Sequence, residues 1–154
     1  MSSEQENFRR LAVELRILEG TAEAIQSRMN FVNAALAELG VAKMTLDGLQ
    51  KVKKNASLLV PVGGGSYVKA RLEGTDKMIV GIGANVAVEK TMKAAKEKTG
   101  ARMTDLEKTR TSLQQQMAQV VEKIQNNRSL LQELTAKLSE GERRKSVRKT
   151  KNTG

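Results

Sequence analysis

The sequence predicts a mainly α protein with a small β insert: a long antiparallel two-helix coiled coil with two β-hairpins placed centrally between its helices. Three observations predict it. Apolar residues recur in alternating steps of three and four near the start of the chain and again towards its end. That is the heptad repeat by which one helix packs on another. Residues 58–89, between the two repeats, are rich in β-branched side chains and alternate with period two, the mark of strands with one buried face. Phe8, Phe31 and Tyr67 are the whole aromatic content of the 154 residues. Rings supply much of the area of most compact cores, so seams of Leu, Val, Ala and Met fit helix–helix contact better.

The first helix is expected within residues 1–55. Ser3 and Glu6 match a capping box. The seam then runs Phe8, Leu11, Leu15, Leu18, Ala22, Ile25, Met29, Val32, Leu36 and Leu39, and continues more weakly through Lys43 to Leu46. Gly20, Gly40 and Gly48 each cost about 1 kcal/mol of helix propensity relative to Ala. Lys51, Lys53 and Lys54 are expected in the last turn, where cations suit the helix dipole, and Asn55 is expected to close the helix.

Residues 56–90 are expected to form the two hairpins. Val60, Val62, Val68, Ile79, Val80, Val86 and Val88 are β-branched, and Val68, Ala70 and Leu72 alternate with Lys69 and Arg71. Gly63-Gly64-Gly65 and Gly83-Ala84-Asn85 supply the positive φ that tight turns require. Pro61 lacks a donor and belongs on an edge or at a strand end. Glu73-Gly74-Thr75-Asp76 joins the hairpins. Two small hairpins are marginal alone, so this stretch is expected to pair with other chains. The expected assembly residues are Val60, Val62, Tyr67, Val68, Ala70, Ile79, Val80, Ile82, Val86 and Val88.

Residues 91–140 carry the second seam: Met92, Thr99, Met103, Leu106, Arg110, Leu113, Met117, Val120, Ile124, Asn127, Leu131, Leu134 and Leu138. Thr104 and Glu107 repeat the capping-box pattern after Gly100, yet the seam runs on past it, and one continuous helix is predicted. Asn127 is a polar seam residue of the kind that sets register. Gly141 is the expected C-cap, and residues 141–154 are expected to be a basic, disordered tail. Helices of about 47 and 50 residues would each run about 70–75 Å, with both termini meeting at the end far from the hairpins.

Composition bears on function. With no His and no Cys, the commonest general base, thiolate chemistry and disulfides are all missing. Asp47, Asp76 and Asp105 are scattered, and no paired carboxylates stand beside a base, so no enzyme, cofactor or metal is expected. Gly63-Gly64-Gly65-Ser66 opens a strand, not the Gly-Lys-Ser/Thr helix start of a phosphate loop. Gly81-Ile82-Gly83 lacks the third Gly of a dinucleotide fingerprint. No apolar run approaches the ~20 residues of a membrane span, and Met1-Ser2-Ser3-Glu4-Gln5-Glu6 does not look like a signal peptide. A cytoplasmic protein without membrane contact is expected. The net charge is +10, and residues 141–154 hold six of the basic side chains against one acidic one. Such a tail serves as a solvated extension, steers towards an acidic partner, or binds nucleic acid, in falling order of expectation.

Val60-Pro-Val-Gly-Gly-Gly-Ser-Tyr-Val-Lys-Ala70 and Val80-Gly-Ile-Gly-Ala-Asn-Val-Ala-Val-Glu-Lys90 resemble the two hairpins of the prefoldin family, in the form carried by its archaeal alpha-type subunits. The resemblance covers roughly residues 8–138. It implies a hetero-hexamer of two alpha and four beta subunits, whose hairpins close into a β-barrel platform from which six coiled coils hang. It also implies an ATP-independent chaperone, or holdase, that binds unfolded proteins at the coiled-coil tips and delivers them to a group II chaperonin. The basic tail departs from the family pattern. On this reading the client-binding tip comprises Phe8, Leu11, Val13, Leu15, Ile17, Leu130, Leu131, Leu134 and Leu138. Phe8, Leu11, Leu15, Leu131, Leu134 and Leu138 equally read as plain coiled-coil core. The competing functions are a coiled-coil scaffold or tether for one folded partner, and a basic coiled coil that coats nucleic acid.

Overall fold

The computed structural model describes residues 3–151, and the side chains of residues 3–144. The element order is α1 (Ser3–Leu49), β1 (Ser57–Gly63), β2 (Ser66–Arg71), β3 (Lys77–Gly83), β4 (Val86–Thr91) and α2 (Met92–Lys151). The helices form an antiparallel coiled coil: Glu19 of α1 meets Arg128 of α2, and Asp47 meets Lys96. The chain divides into two compact units, one of residues 1–31 with 110–154 and one of residues 32–109.

In the first unit the heptad seams are the core. Ile25, Leu113, Ile124 and Asn127 are buried. Phe8, Leu11, Leu15, Leu18, Ala22, Met29, Arg110, Met117, Val120, Leu131, Leu134 and Leu138 are half-buried. Arg128 Nη2 donates to Glu19 Oε1 at 2.7 Å across the helices. Two expectations are corrected here. α2 continues through Gly141, which is not its cap, and residues 142–151 are helical rather than disordered. Glycine weakens a helix but stops one only where it takes a left-handed φ, and Gly141 is not among the residues with positive φ. Residues 152–154 of the expected tail lie outside the described residues.

In the second unit Val32, Leu46, Met92 and Ala95 are buried, and Lys43 falls on the seam register yet stays exposed. α1 ends at Leu49, short of the expected 55. Lys51 N donates to Gly48 O and Val52 N to Leu49 O, which tightens the last turn into a three-residue repeat and ends the helix. Lys51, Lys53 and Lys54 therefore lie beyond the helix. Asn55 does adopt a left-handed φ of 65°, but its work is at the base of the first hairpin. Its N–H donates to Leu72 O, and Leu72 N donates to Ala56 O. α2 is unbroken at Gly100: Thr104 Oγ1 donates to the Gly100 carbonyl inside the helix instead of capping a new one.

Lys96 bonds both the Asp47 carboxylate and Gln50 Oε1, the latter at 3.0 Å, and so ties the end of α1 to the start of α2. That ammonium, with lesser help from Lys43 and Lys51, holds the Asp47 carboxyl below the usual aspartate range.

Both hairpins have the same construction. β1 pairs antiparallel with β2 with Leu58 opposite Ala70 and Val60 opposite Val68; β3 pairs with β4 with Met78 opposite Lys90 and Val80 opposite Val88. Each shifts register just before its turn, at Pro61/Gly63 and at Gly81/Gly83. The two-residue loops are Gly64-Gly65 (φ 58° and 76°) and Ala84-Asn85 (φ 48° and 60°). Positive φ at both loop positions makes primed turns, whose twist matches that of the strands.

Candidate binding surfaces

The hairpins expose their apolar side chains. Residues directly opposite in a ladder share a face, so Leu58, Val60, Val68 and Ala70 lie on one face of the first hairpin. Leu58 and Ala70 are half-buried, while Val60 and Val68 are open. The other face carries Leu59, Pro61 and Tyr67, with Leu59 and Tyr67 exposed. In the second hairpin Met78, Val80 and Val88 are half-buried on one face. Ile79 stands on the other, 81% exposed, beside the Lys77–Glu89 ion pair at 2.7 Å. Val62, Ile82 and Val86, near the turns, are exposed. Lys98 Nζ reaches from α2 to the Gly81 carbonyl at 3.2 Å, and Met92 N donates to Asp76 O, which anchors the second hairpin to the helix that follows it. Each sheet has two strands, so every strand also presents an edge.

Of the expected assembly residues, Val60, Val62, Tyr67, Val68, Ile79, Ile82 and Val86 are thus open to solvent, and Ala70, Val80 and Val88 are half-covered. Sequence reasoning missed Leu59. Its neighbours Leu58 and Val60 are apolar too, so alternation could not place it, although the Lys69 opposite it was the available signal of a second face.

In the first unit the expected tip residues separate into two sets. Phe8, Leu11, Leu15, Leu131, Leu134 and Leu138 lie in the seam and are half-buried; Val13, Ile17 and Leu130 lie off it and are exposed, Val13 and Ile17 by 60% and 64%. Phe31, also off the seam, is 75% exposed and was missed. Its spacing of eighteen residues from Val13 is five full helical turns, a periodic signal the seam concealed.

Among the described residues no group of His, Cys, Asp or Glu is placed to hold a metal ion. No helix among them is long and apolar enough to cross a membrane. An open recess of about 440 Å³ beside the hairpin link is lined by Glu73, Gly74, Asp76, Lys77, Ile79 and Glu89. Its polar groups are solvated carboxylates and one paired lysine.

Two heptad-bearing helices around two tightly turned hairpins with open apolar faces are a combination with known relatives. The prefoldin subunit family model matches residues 18–137. The chain belongs to the prefoldin family. It is 34% identical to prefoldin subunit alpha of Methanobrevibacter smithii over 116 residues, which cover 75% of this chain and 79% of the relative. It is 32% identical to prefoldin subunit alpha of Methanosarcina mazei over 145 residues, 92% of this chain and 99% of the relative. A solved structure of filamentous PFD from Methanocaldococcus jannaschii is similar with a TM-score of 0.64 and 26% identity, covering 72% of this chain and 92% of that one. As a prefoldin-family subunit, the chain has a chaperone role, and its two hairpins follow the pattern expected of the alpha type.

Proposed function

We propose that this chain is the alpha-type subunit of an ATP-independent holdase. It would assemble with beta-type subunits, two alpha to four beta, through hairpins that close into a shared β-barrel platform. The platform would carry coiled coils whose free ends grip unfolded proteins in the cytoplasm and pass them to a group II chaperonin. The observation that carries this reading is the row of open apolar side chains on the hairpins, Leu59, Val62, Tyr67, Ile79 and Ile82, in a chain whose helices already cover each other's seams. Apolar patches rimmed by polar residues mark contact surfaces, and unpaired strand edges invite further strands.

The grip itself is assigned to Phe8, Leu11, Leu15, Leu131, Leu134 and Leu138, half-buried, with Val13, Ile17 and Leu130 exposed beside them. Burying one such side chain contributes roughly 1.5–3 kcal/mol. Two or three contacts per subunit bind weakly once ordering costs are met, and several subunits on one platform raise the avidity. Weak multivalent binding releases its client without ATP. The work is non-covalent. Removal of residues 1–12 and 134–154 together should leave the oligomer intact by native mass spectrometry while partly lowering suppression of aggregation of unrelated denatured proteins, measured without nucleotide. Undiminished suppression by the trimmed assembly would place the client site elsewhere.

A further inference from the structure

Asn127 is 4% exposed, and its side-chain oxygen is buried with no hydrogen-bond partner. It occupies a seam position of α2 between Ile124, buried, and Leu131, half-buried. A buried Asn that specifies register normally does so with a polar partner across the seam. Here the Glu19–Arg128 pair sets the level, and the α1 seam residues on either side of Glu19 are Leu18 and Ala22, which have no side-chain donor. The Thr21 hydroxyl donates to the Ile17 carbonyl within its own helix. Ala22 is also the smallest residue of the α1 seam. This layer therefore combines a small apolar side chain with an acceptor that closing the coil strips of water.

Burial changes at the same level. On one side of the layer Ile25, Leu113 and Ile124 are buried among the half-buried Met29, Arg110, Met117 and Val120; on the other, from Leu18 back to Phe8 and from Leu131 on to Leu138, no seam residue is fully buried. The ion pair that spans the layer has side chains 60% and 43% exposed, and solvent-screened pairs of this kind hold little. Opening here returns the Asn127 amide to water, which offsets part of the apolar contact that is given up.

We propose that Asn127 is the hinge of a cooperative local opening, in which α1 before Glu19 and α2 after Arg128 part while the coil beyond Ile25 and Ile124 stays closed. The opening deepens the holdase reading, because it uncovers the seam leucines assigned to the client, but it exists or fails independently of that use.

Amide hydrogen exchange on the assembled complex tests it. Asn127→Leu removes the orphaned acceptor and fills the layer, and should slow exchange in residues 3–18 and 129–144 by roughly tenfold or more, with residues 92–109 unchanged. Asn127→Asp puts a carboxylate in the same volume and should speed exchange in those same segments at neutral pH. Equal rates in wild type and both variants, or a slowing spread evenly along both helices, would overturn the hinge. The Asn127→Leu complex should also suppress client aggregation less well. Slowed exchange with undiminished suppression would leave the hinge standing and overturn the client assignment.

Discussion

Ile124, in the first unit, keeps 9% of its surface in water; Ile79, in the second hairpin, keeps 81%. The two residues are chemically identical and both sit in regular structure. The difference lies in what each element can find within its own chain. A heptad-bearing helix has a single apolar stripe, and the antiparallel partner helix covers it. A two-stranded hairpin has two faces and two edges, and in this chain one face at most is half-covered, as at Met78, Val80 and Val88. The coil thus finds its cover within the chain, whereas the hairpins leave apolar faces and strand edges open, which on the proposed function other chains would cover. One region should fail when its own core is damaged, the other when its contacts with partners are.

The sharpest way to separate the two is to charge the hairpins where the lone chain does not notice. Val62→Asp with Ile79→Asp alters two exposed positions, so the subunit should keep its helical circular dichroism. At an interface each unpaired buried charge costs about 3 kcal/mol or more, so the oligomer should dissociate to single subunits in sedimentation velocity. An assembly of normal mass would show that these faces stay open in the oligomer. The converse change is Leu113→Ala, at a position 5% exposed in the coil. It should destabilise the helices by about 2–5 kcal/mol, seen as a lower thermal midpoint, while the assembly formed at low temperature keeps its mass.

A smaller contrast lies within the hairpins. The first turn uses Gly64 at φ 58°, the second Ala84 at φ 48°. A Cβ at Gly64 would meet nothing within 4 Å, so the backbone alone decides. Gly64→Ala should cost about 1 kcal/mol and Ala84→Gly should recover a similar amount. Thermal melts of the two variants shifting in the same direction would show that the turns are not equivalent. The smallest expected effect is at the end of α1. Asp47 titrates below its unfolded value because Lys96 bonds its carboxylate. Its contribution is therefore complete above the unfolded aspartate pKa of about 3.9 and is lost as pH falls through the lower folded value. Asp47→Asn should flatten the acid limb of the stability profile slightly and leave the neutral region unchanged.

Most of this architecture was legible in the order of residues. Steps of three and four from Phe8 to Leu46 and from Thr99 to Leu138 located both seams, because heptad spacing is a property each helix carries alone. Gly63-Gly64-Gly65 and Gly83-Ala84-Asn85 located both turns, because positive φ is a local steric demand. The family, too, was readable from the two hairpin motifs. What the sequence did not determine were outcomes of competition between groups far apart in it. α1 stops at Leu49 because the chain beyond it turns to bond Leu72 from Asn55 and Ala56. α2 runs through Gly141 because that glycine keeps a helical backbone. Asn127 had the look of a register residue, and tertiary structure brought Glu19 to the neighbouring Arg128 and left the Asn127 oxygen buried without a donor. Spacing assigns a residue to a seam; whether its polar atoms are satisfied there depends on which residues the other helix brings to the same level.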